Sequence, residues 1–473
     1  MEYPLFEIPR LGGGMFVGLV AIIHVVIAHL AVGAGLFIAV SHTWAFKRGD
    51  ALMLDFLYRY GRFLILLSFV SGAVTGVGIW VTISLASPAG TSALIHLFVW
   101  GWAIEWVFFL LEIVAGYVYY YGWHRLTPRR HLAVAWLYFV GAFMSLVVIN
   151  GIITFMLTPG TWQPPGGSSY DAQRAFFAAF LNPTCWPSLL VRTLSCMAIA
   201  GISVAVVANW VGSYSGEQRE RIGRAGAWML APIALMVPGA VWYFSSVSST
   251  ARDFALGGSV AMTMFFAFGV VSSLYIAGHT YWGLIRNRPC VHLQTSILLL
   301  AIAAVATGAM EFVREGIRKP HIISQYMYSN QILCDRSTRE AIDRDGILAH
   351  ARFAYPPDMV LEEVYRLPLK DIGRYVFNAE CRACHEPGGT NDIAPLIHDA
   401  SRELVTGITN ELGRLKHFMP PFMGTDLERR AIVEYQLFLA GGELYQPPPG
   451  EGWRGTATRP SSLTRVDSRE VWR

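Results

Sequence analysis

The chain has 473 residues, 53% of them hydrophobic and only 15% charged, with 15 Trp and 27 Phe. A soluble protein of this size carries about a quarter charged residues, so the composition excludes a wholly soluble chain. The net charge of +4 is small and scattered, which gives a nucleic-acid partner no support.

About eight apolar stretches are long enough to cross a bilayer: roughly 12–41, 60–86, 94–122, 132–157, 187–211, 225–246, 258–284 and 292–312. The first lacks a basic leader and a small-residue cleavage site, and it is too long for a signal peptide, so it reads as an uncleaved helix. Loops after the odd-numbered segments carry Lys47, Arg48, Arg59 and Arg62, then Arg125, Arg129 and Arg130, then Arg219, Arg221 and Arg224, then Arg286 and Arg288. Loops after the even-numbered segments carry only Arg174 and Arg252. The positive-inside rule places the odd loops in the cytoplasm, with the N-terminus and everything after segment 8 on the periplasmic face of a bacterial inner membrane.

An ionisable side chain within the bilayer costs several kcal/mol unless it is paired, hydrated or ligating. In chain order these are His24 and His29, Glu105 and Glu112, Arg192, His279, then Glu311, Arg314 and Glu315. Glu105 and Glu112 are seven residues apart, close to two helical turns, and share a face suited to proton relay. His29 lies about a turn and a half beyond His24 and faces elsewhere, which suits a hydrogen-bonded or helix-contact histidine. His279 falls near the inner surface and reads as interfacial.

Hydropathy collapses after Arg318-Lys319-Pro320. Residues 1–320 thus read as the membrane domain, and 321–360 as a polar connector containing Pro356-Pro357. Residues 361–445 have the pattern of a small helical domain, with one helix leading into Cys381 and another near 425–440. Residues 446–473, opening on Pro447-Pro448-Pro449, form an extended tail rich in Pro and Arg.

The run Cys381-Arg-Ala-Cys384-His385 supplies two thiols for thioether bonds to a porphyrin and a proximal imidazole for its iron, the signature of one covalent haem c. A zinc site would need two further ligands nearby, and none has zinc spacing. Met419, in Phe-Met419-Pro420-Pro421-Phe, resembles the Met-Pro-Pro loop of class I cytochromes c and is the expected sixth ligand, with Met423 its rival. Cys185 and Cys334 fall on the oxidising side and stand either as a disulfide or as two thiols. Cys196 is mid-membrane and Cys290 lies in an inner loop, where a bridge is not expected.

The block Ile-Glu105-Trp-Val-Phe-Phe-Leu-Leu-Glu112, followed by Gly122-Trp-His-Arg-Leu, resembles the third helix of the catalytic subunit of cytochrome bd oxidases. His24 in Ile-Ile-His-Val-Val, Ser71-Gly-Ala-Val-Thr-Gly76, Asn150-Gly151 and Glu315-Gly-Ile-Arg318-Lys-Pro320 fall in that family's order. The resemblance spans residues 10–320. It implies that His24 is an axial ligand of one high-spin haem and that Glu315 ligates, or sits against, the iron of a second. It also implies that Glu105 and Glu112 deliver protons and that Arg318 lies beside haem carboxylates. It implies two non-covalent haems, of b or d type. The resemblance further implies a second membrane subunit of similar fold, hence a hetero-oligomer.

Three departures accompany the resemblance. The family oxidises quinol at a long loop between segments 6 and 7, whereas here only about Ser246 to Gly257 connects them. Arg192 stands where the family's low-spin haem takes a histidine, so that haem is expected to be missing or differently held; Arg192 would then pair with a haem propionate or a nearby Glu. Met262 and Met264 are candidates for the matching methionine. The family's ninth helix is replaced by the haem c domain.

The expected architecture is therefore all-α: a polytopic membrane bundle followed by a small periplasmic cytochrome c domain. The expected function is a bd-like terminal oxidase subunit that takes electrons through haem c from a periplasmic cytochrome c or multihaem donor and reduces O2 to water. The rival is an electron-transfer subunit of a larger respiratory complex with six-coordinate haems, moving electrons to a membrane partner or quinone. Nitric oxide reduction would use the same open haem geometry.

Overall fold

The computed structural model describes residues 6, 8–164, 171–211, 213–285 and 292–441. The expected Arg286, Arg288, Cys290 and the tail beyond 441 lie outside them. Within the described residues the chain divides into two units, Met15–Tyr328 and Met1–Gly14 with Ser329–Arg473.

The first unit is built on eight membrane-length helices among the described residues: α1 Gly13–Arg48, α2 Ala51–Ala86, α3 Val99–Tyr121, α4 Pro128–Phe155, α5 Cys185–Trp210, α6 Gly216–Ser246, α7 Val260–Ile285 and α8 Leu293–Gly316. These segments are helical because a backbone in hydrocarbon must satisfy its own hydrogen bonds. Helices start where a polar cap is available, which sets boundaries that hydropathy misses. Asp50 caps α2 by accepting from the Met53 N–H, so that helix begins well before the apolar stretch at 60. Ser215 and Gln218 form a capping box that starts α6 in a polar turn. Large side chains such as Val70, Val74, Val77 and Val81 form an outward stripe on α2, as a lipid-facing surface requires.

Without a hydrophobic drive between helices in lipid, close packing depends on small residues. A side chain at Gly33 of α1 would overlap the Cys196 carbonyl of α5, and one at Gly141 of α4 would lie 2.9 Å from the Glu112 amide nitrogen of α3. Residues 65–72 of α2 form a wider π-helical turn. The connection between α6 and α7 contains only the short helix Ser249–Asp253 and the turn through Gly258. After α8, His321–Ile323 pairs antiparallel with Met327–Tyr328, a minor exception to the all-helical expectation.

The second unit contains α9 Arg336–Asp345, α10 Leu369–Glu380, α11 Arg402–Asn410 and α12 Asp426–Leu439. Helices α10 and α12 cross where Gly373 lies against the Ala431 carbonyl, so closely that a methyl group would overlap it. Phe377 and Tyr435 pack edge to face beside that crossing, 5.3 Å apart. Glu428 is fully buried yet accepts from the Ile347 and Leu348 amides and the Tyr365 hydroxyl, which offsets its desolvation.

Candidate haem sites

Helix α10 ends at Glu380, and the chain then winds into a tight turn in which the Cys384 and His385 amides both donate to the Cys381 carbonyl. That turn brings the two cysteines and the histidine of the motif together; neither cysteine is in a disulfide. His385 Nδ1 lies 2.9 Å from the Asn391 carbonyl, and Asn391 is itself held by a bond to the Cys384 carbonyl. A carbonyl can only accept, so Nδ1 carries the proton and Nε2 keeps its lone pair for a metal. Burial holds the His385 pKa below its ordinary value, against the opposing Asn391 bond, so the ring stays neutral. Neutral imidazole is the ligand form.

The two methionines differ. Met423 is 1% exposed and its amide donates to buried Glu380, so its side chain is already taken up by packing. Met419 is half-buried in the open loop at 416–421. Burial pushes the Glu380 carboxyl well above the usual range, and the Met423 amide and Asn330 amide oppose it.

In the membrane unit, His24 Nδ1 lies 3.0 Å from the Thr75 hydroxyl, which in turn donates to the Ser71 carbonyl at 2.7 Å. Any side chain at Gly76 would come 3.2 Å from the His24 ring, so the glycine gives the imidazole its room. His29 is 4% exposed and neither of its ring nitrogens has a hydrogen-bond partner. Glu105 accepts from Ser145 Oγ at 2.8 Å. Both Glu105 and Glu112 are half-buried. His279 Nε2 is buried without a partner.

Arg192 is drawn into a polar chain. It donates to Glu311 at 2.6 Å, Glu311 accepts from Arg314 at 2.8 Å, and Ser188 links the Arg192 end to Asn150. Glu311 is thus the nearby Glu that was one of the two partners expected for Arg192. Glu315 is ion-paired with Arg318, whose Nη1 also contacts the Met156 sulfur. Arg314 Nη1 and Arg318 Nε are buried donors without partners. Buried guanidinium N–H groups of this kind suit an anionic group such as a carboxylate. Met262 is buried with its sulfur against Gly316, and Met264 is 67% exposed. Cys185 is a buried thiol whose backbone carbonyl accepts from the Asn150 amide.

Ser145 and Thr75 were not singled out from the sequence. Ser145 acts across 40 residues on another helix, which no local pattern reveals. Thr75 lay within the Ser71–Gly76 block, where its distance of four from Ser71 was the available signal.

Residues 15–249 match the family model described as cytochrome bd terminal oxidase subunit I. This part of the chain is a cytochrome bd subunit I domain. Residues 368–435 match the cytochrome c oxidase, cbb3-type, subunit III model, so the C-terminal unit carries a cytochrome c domain. A solved structure titled "The structure of bd oxidase from Geobacillus thermodenitrificans" shares the fold, with a TM-score of 0.57, 15% identity, and coverage of 66% of this chain and 88% of that one. No curated protein matches the sequence. The bd domain and the cytochrome c domain together make the chain a transmembrane haem oxidoreductase of electron transport.

Proposed function

We propose that the chain is the catalytic subunit of a bd-like terminal oxidase fed through its own haem c. Four electrons and four protons convert O2 to two waters, so such a subunit needs an electron port, an iron with an open position and a proton supply. Bound haem supplies the iron: one haem c, and two non-covalent haems of b or d type. Cys381, Cys384, His385 and Met419 hold the covalent group. His24 and Glu315 hold the membrane pair, and Arg318 faces their carboxylates. Glu105 and Glu112 carry protons inward from the basic-loop side. The periplasmic end carries the N-terminus and the cytochrome c domain, the donor is a periplasmic cytochrome c or multihaem protein, and a second membrane subunit completes the complex.

The observation that carries this reading is the shared tautomer of two imidazoles. His24 and His385 each commit Nδ1 to an oxygen, at 3.0 and 2.9 Å, and so present Nε2. Among the described residues, no hydrogen bond engages Nε2 of either ring. The opposing reading, six-coordinate membrane haems that only pass electrons, draws on His29, whose two nitrogens lack partners on the same helix.

Reduced-plus-CO difference spectra of the purified complex separate the two. A CO-binding high-spin haem, together with oxygen uptake driven by reduced cytochrome c, is the expected result. A protein with all its haems and no CO response is an electron-transfer subunit.

A further inference from the structure

Helix α3 repeats an oxygen-bearing side chain every seven residues: Glu105, Glu112 and then Tyr119. Seven residues are just under two turns, so the three lie along one face, about 10.5 Å apart. The first two belong to the relay proposed above. The third ends in a buried cluster that this relay does not yet use.

Tyr119 OH lies 3.3 Å from His42 Nδ1 of α1. His131 of α4 places Nε2 2.7 Å from the Tyr119 carbonyl and stacks its ring on the phenol at 4.5 Å. Because a carbonyl can only accept, His131 Nε2 donates and Nδ1 keeps a lone pair. The two imidazole centroids are 4.9 Å apart, and both residues are about as buried as the helix core, at 3% and 4% exposure. The cluster sits at the helix ends that carry Lys47, Arg48, Arg125, Arg129 and Arg130. Aromatic packing alone would be met by phenylalanine at these positions. One hydrogen bond joins the Tyr119 phenol to the His42 imidazole, and the His131 ring packs against both, so three groups able to take or release a proton stand in contact.

Tyr119 and Glu112 stand about two turns apart on α3, with the Phe69 ring packed on Gly116 between them and a small cavity at the Tyr119 end. A cavity with about 10 Å³ open to the centre of a water molecule is lined by Gly61, Gly116, Tyr119 and Tyr138 among others. Gly116 lies between Glu112 and Tyr119 on the same face, four residues from one and three from the other. The volume suits about one water. The walls are mostly apolar, with Tyr119 and Tyr138 the side chains in them that end in a hydroxyl.

We propose that His42, His131 and Tyr119 form the proton-collecting end of the relay that continues through Glu112 to Glu105. The proposal rests on the oxidase reading, and only protons move along it. Its test uses the purified, haem-loaded complex in liposomes with reduced cytochrome c as donor. His42→Gln and Tyr119→Phe are compared with the unaltered protein; the second deletes one oxygen and keeps the ring. Both variants are expected to keep the reduced-plus-CO spectrum and to consume oxygen about tenfold more slowly. Added imidazole is expected to recover rate in His42→Gln and not in Tyr119→Phe. Wild-type turnover in both variants with intact CO spectra overturns the proposal, as does a slow His42→Gln enzyme that imidazole leaves unchanged. If His42→Gln loses haem, Tyr119→Phe decides alone, by slow or wild-type turnover with its haems in place. Failure of the oxidase reading is distinct, because the unaltered protein would then show neither CO binding nor oxygen uptake.

Discussion

Thr75 has one proton to donate, and the Ser71 carbonyl 2.7 Å away takes it. His24 Nδ1, 3.0 Å from the same hydroxyl, must then be the donor, which leaves Nε2 unprotonated. Removing an outer partner of a ligating histidine lowers metal affinity by about 10–100-fold. Thr75→Val keeps the shape of the side chain and deletes the acceptor. It is expected to lose part of its non-covalent haem on washing in detergent, seen as a lower Soret absorbance per haem c. A Val variant with full haem content and an unaltered CO spectrum would remove Thr75 from this role. At this scale the sequence was informative wherever a motif is contiguous. Cys381-Arg-Ala-Cys384-His385 named its ligands within five residues, whereas the oxygens that orient His385 and Glu105 come from Asn391 and Ser145, where spacing carries no signature.

Helices α5 and α8 are joined through Arg192, Glu311 and Arg314, two cations around one anion in a buried setting. Coulombic attraction offsets desolvation there only while the anion remains. Glu311→Gln leaves two guanidiniums side by side and is expected to destabilise the bundle by about 3–5 kcal/mol. Arg192→Met leaves the Glu311–Arg314 pair intact and removes the bonds to Glu311 and Ser188, with a cost of about 1–2 kcal/mol. Thermal unfolding in detergent should therefore rank Glu311→Gln well below Arg192→Met, and the reverse order would mean that Arg192 is the group held in place by the network. The sequence exposed these elements as apolar stretches but misjudged where they begin. Asp50 and the Ser215 capping box start α2 and α6 in polar turns that hydropathy does not weigh. The pairing of Arg192 with Glu311 spans 119 residues; only the cost of a lone buried charge hinted that each needed a partner.

For the whole molecule, the division into an apolar first two thirds and a polar remainder was legible from hydropathy, and both family models fall within those parts. The haem inventory is less direct, because it depends on what Arg192 is doing. A guanidinium does not release its proton in a protein and so offers iron no lone pair. Here it is also committed to Glu311 and Ser188. The described residues therefore offer His24 and Glu315 as candidate axial ligands in the membrane unit, and no histidine on α5. Met262, the buried candidate from α7, is packed against Gly316, and Met264 points away from the bundle interior. A low-spin haem held between α5 and α7 has neither ligand free. Pyridine haemochrome analysis of the purified chain is expected to give two non-covalent haems for each haem c. A ratio of three to one would show that a further membrane haem is bound. The residue to change first would then be His29, whose unpartnered nitrogens are the remaining buried imidazole donors on α1 toward the Arg192 network.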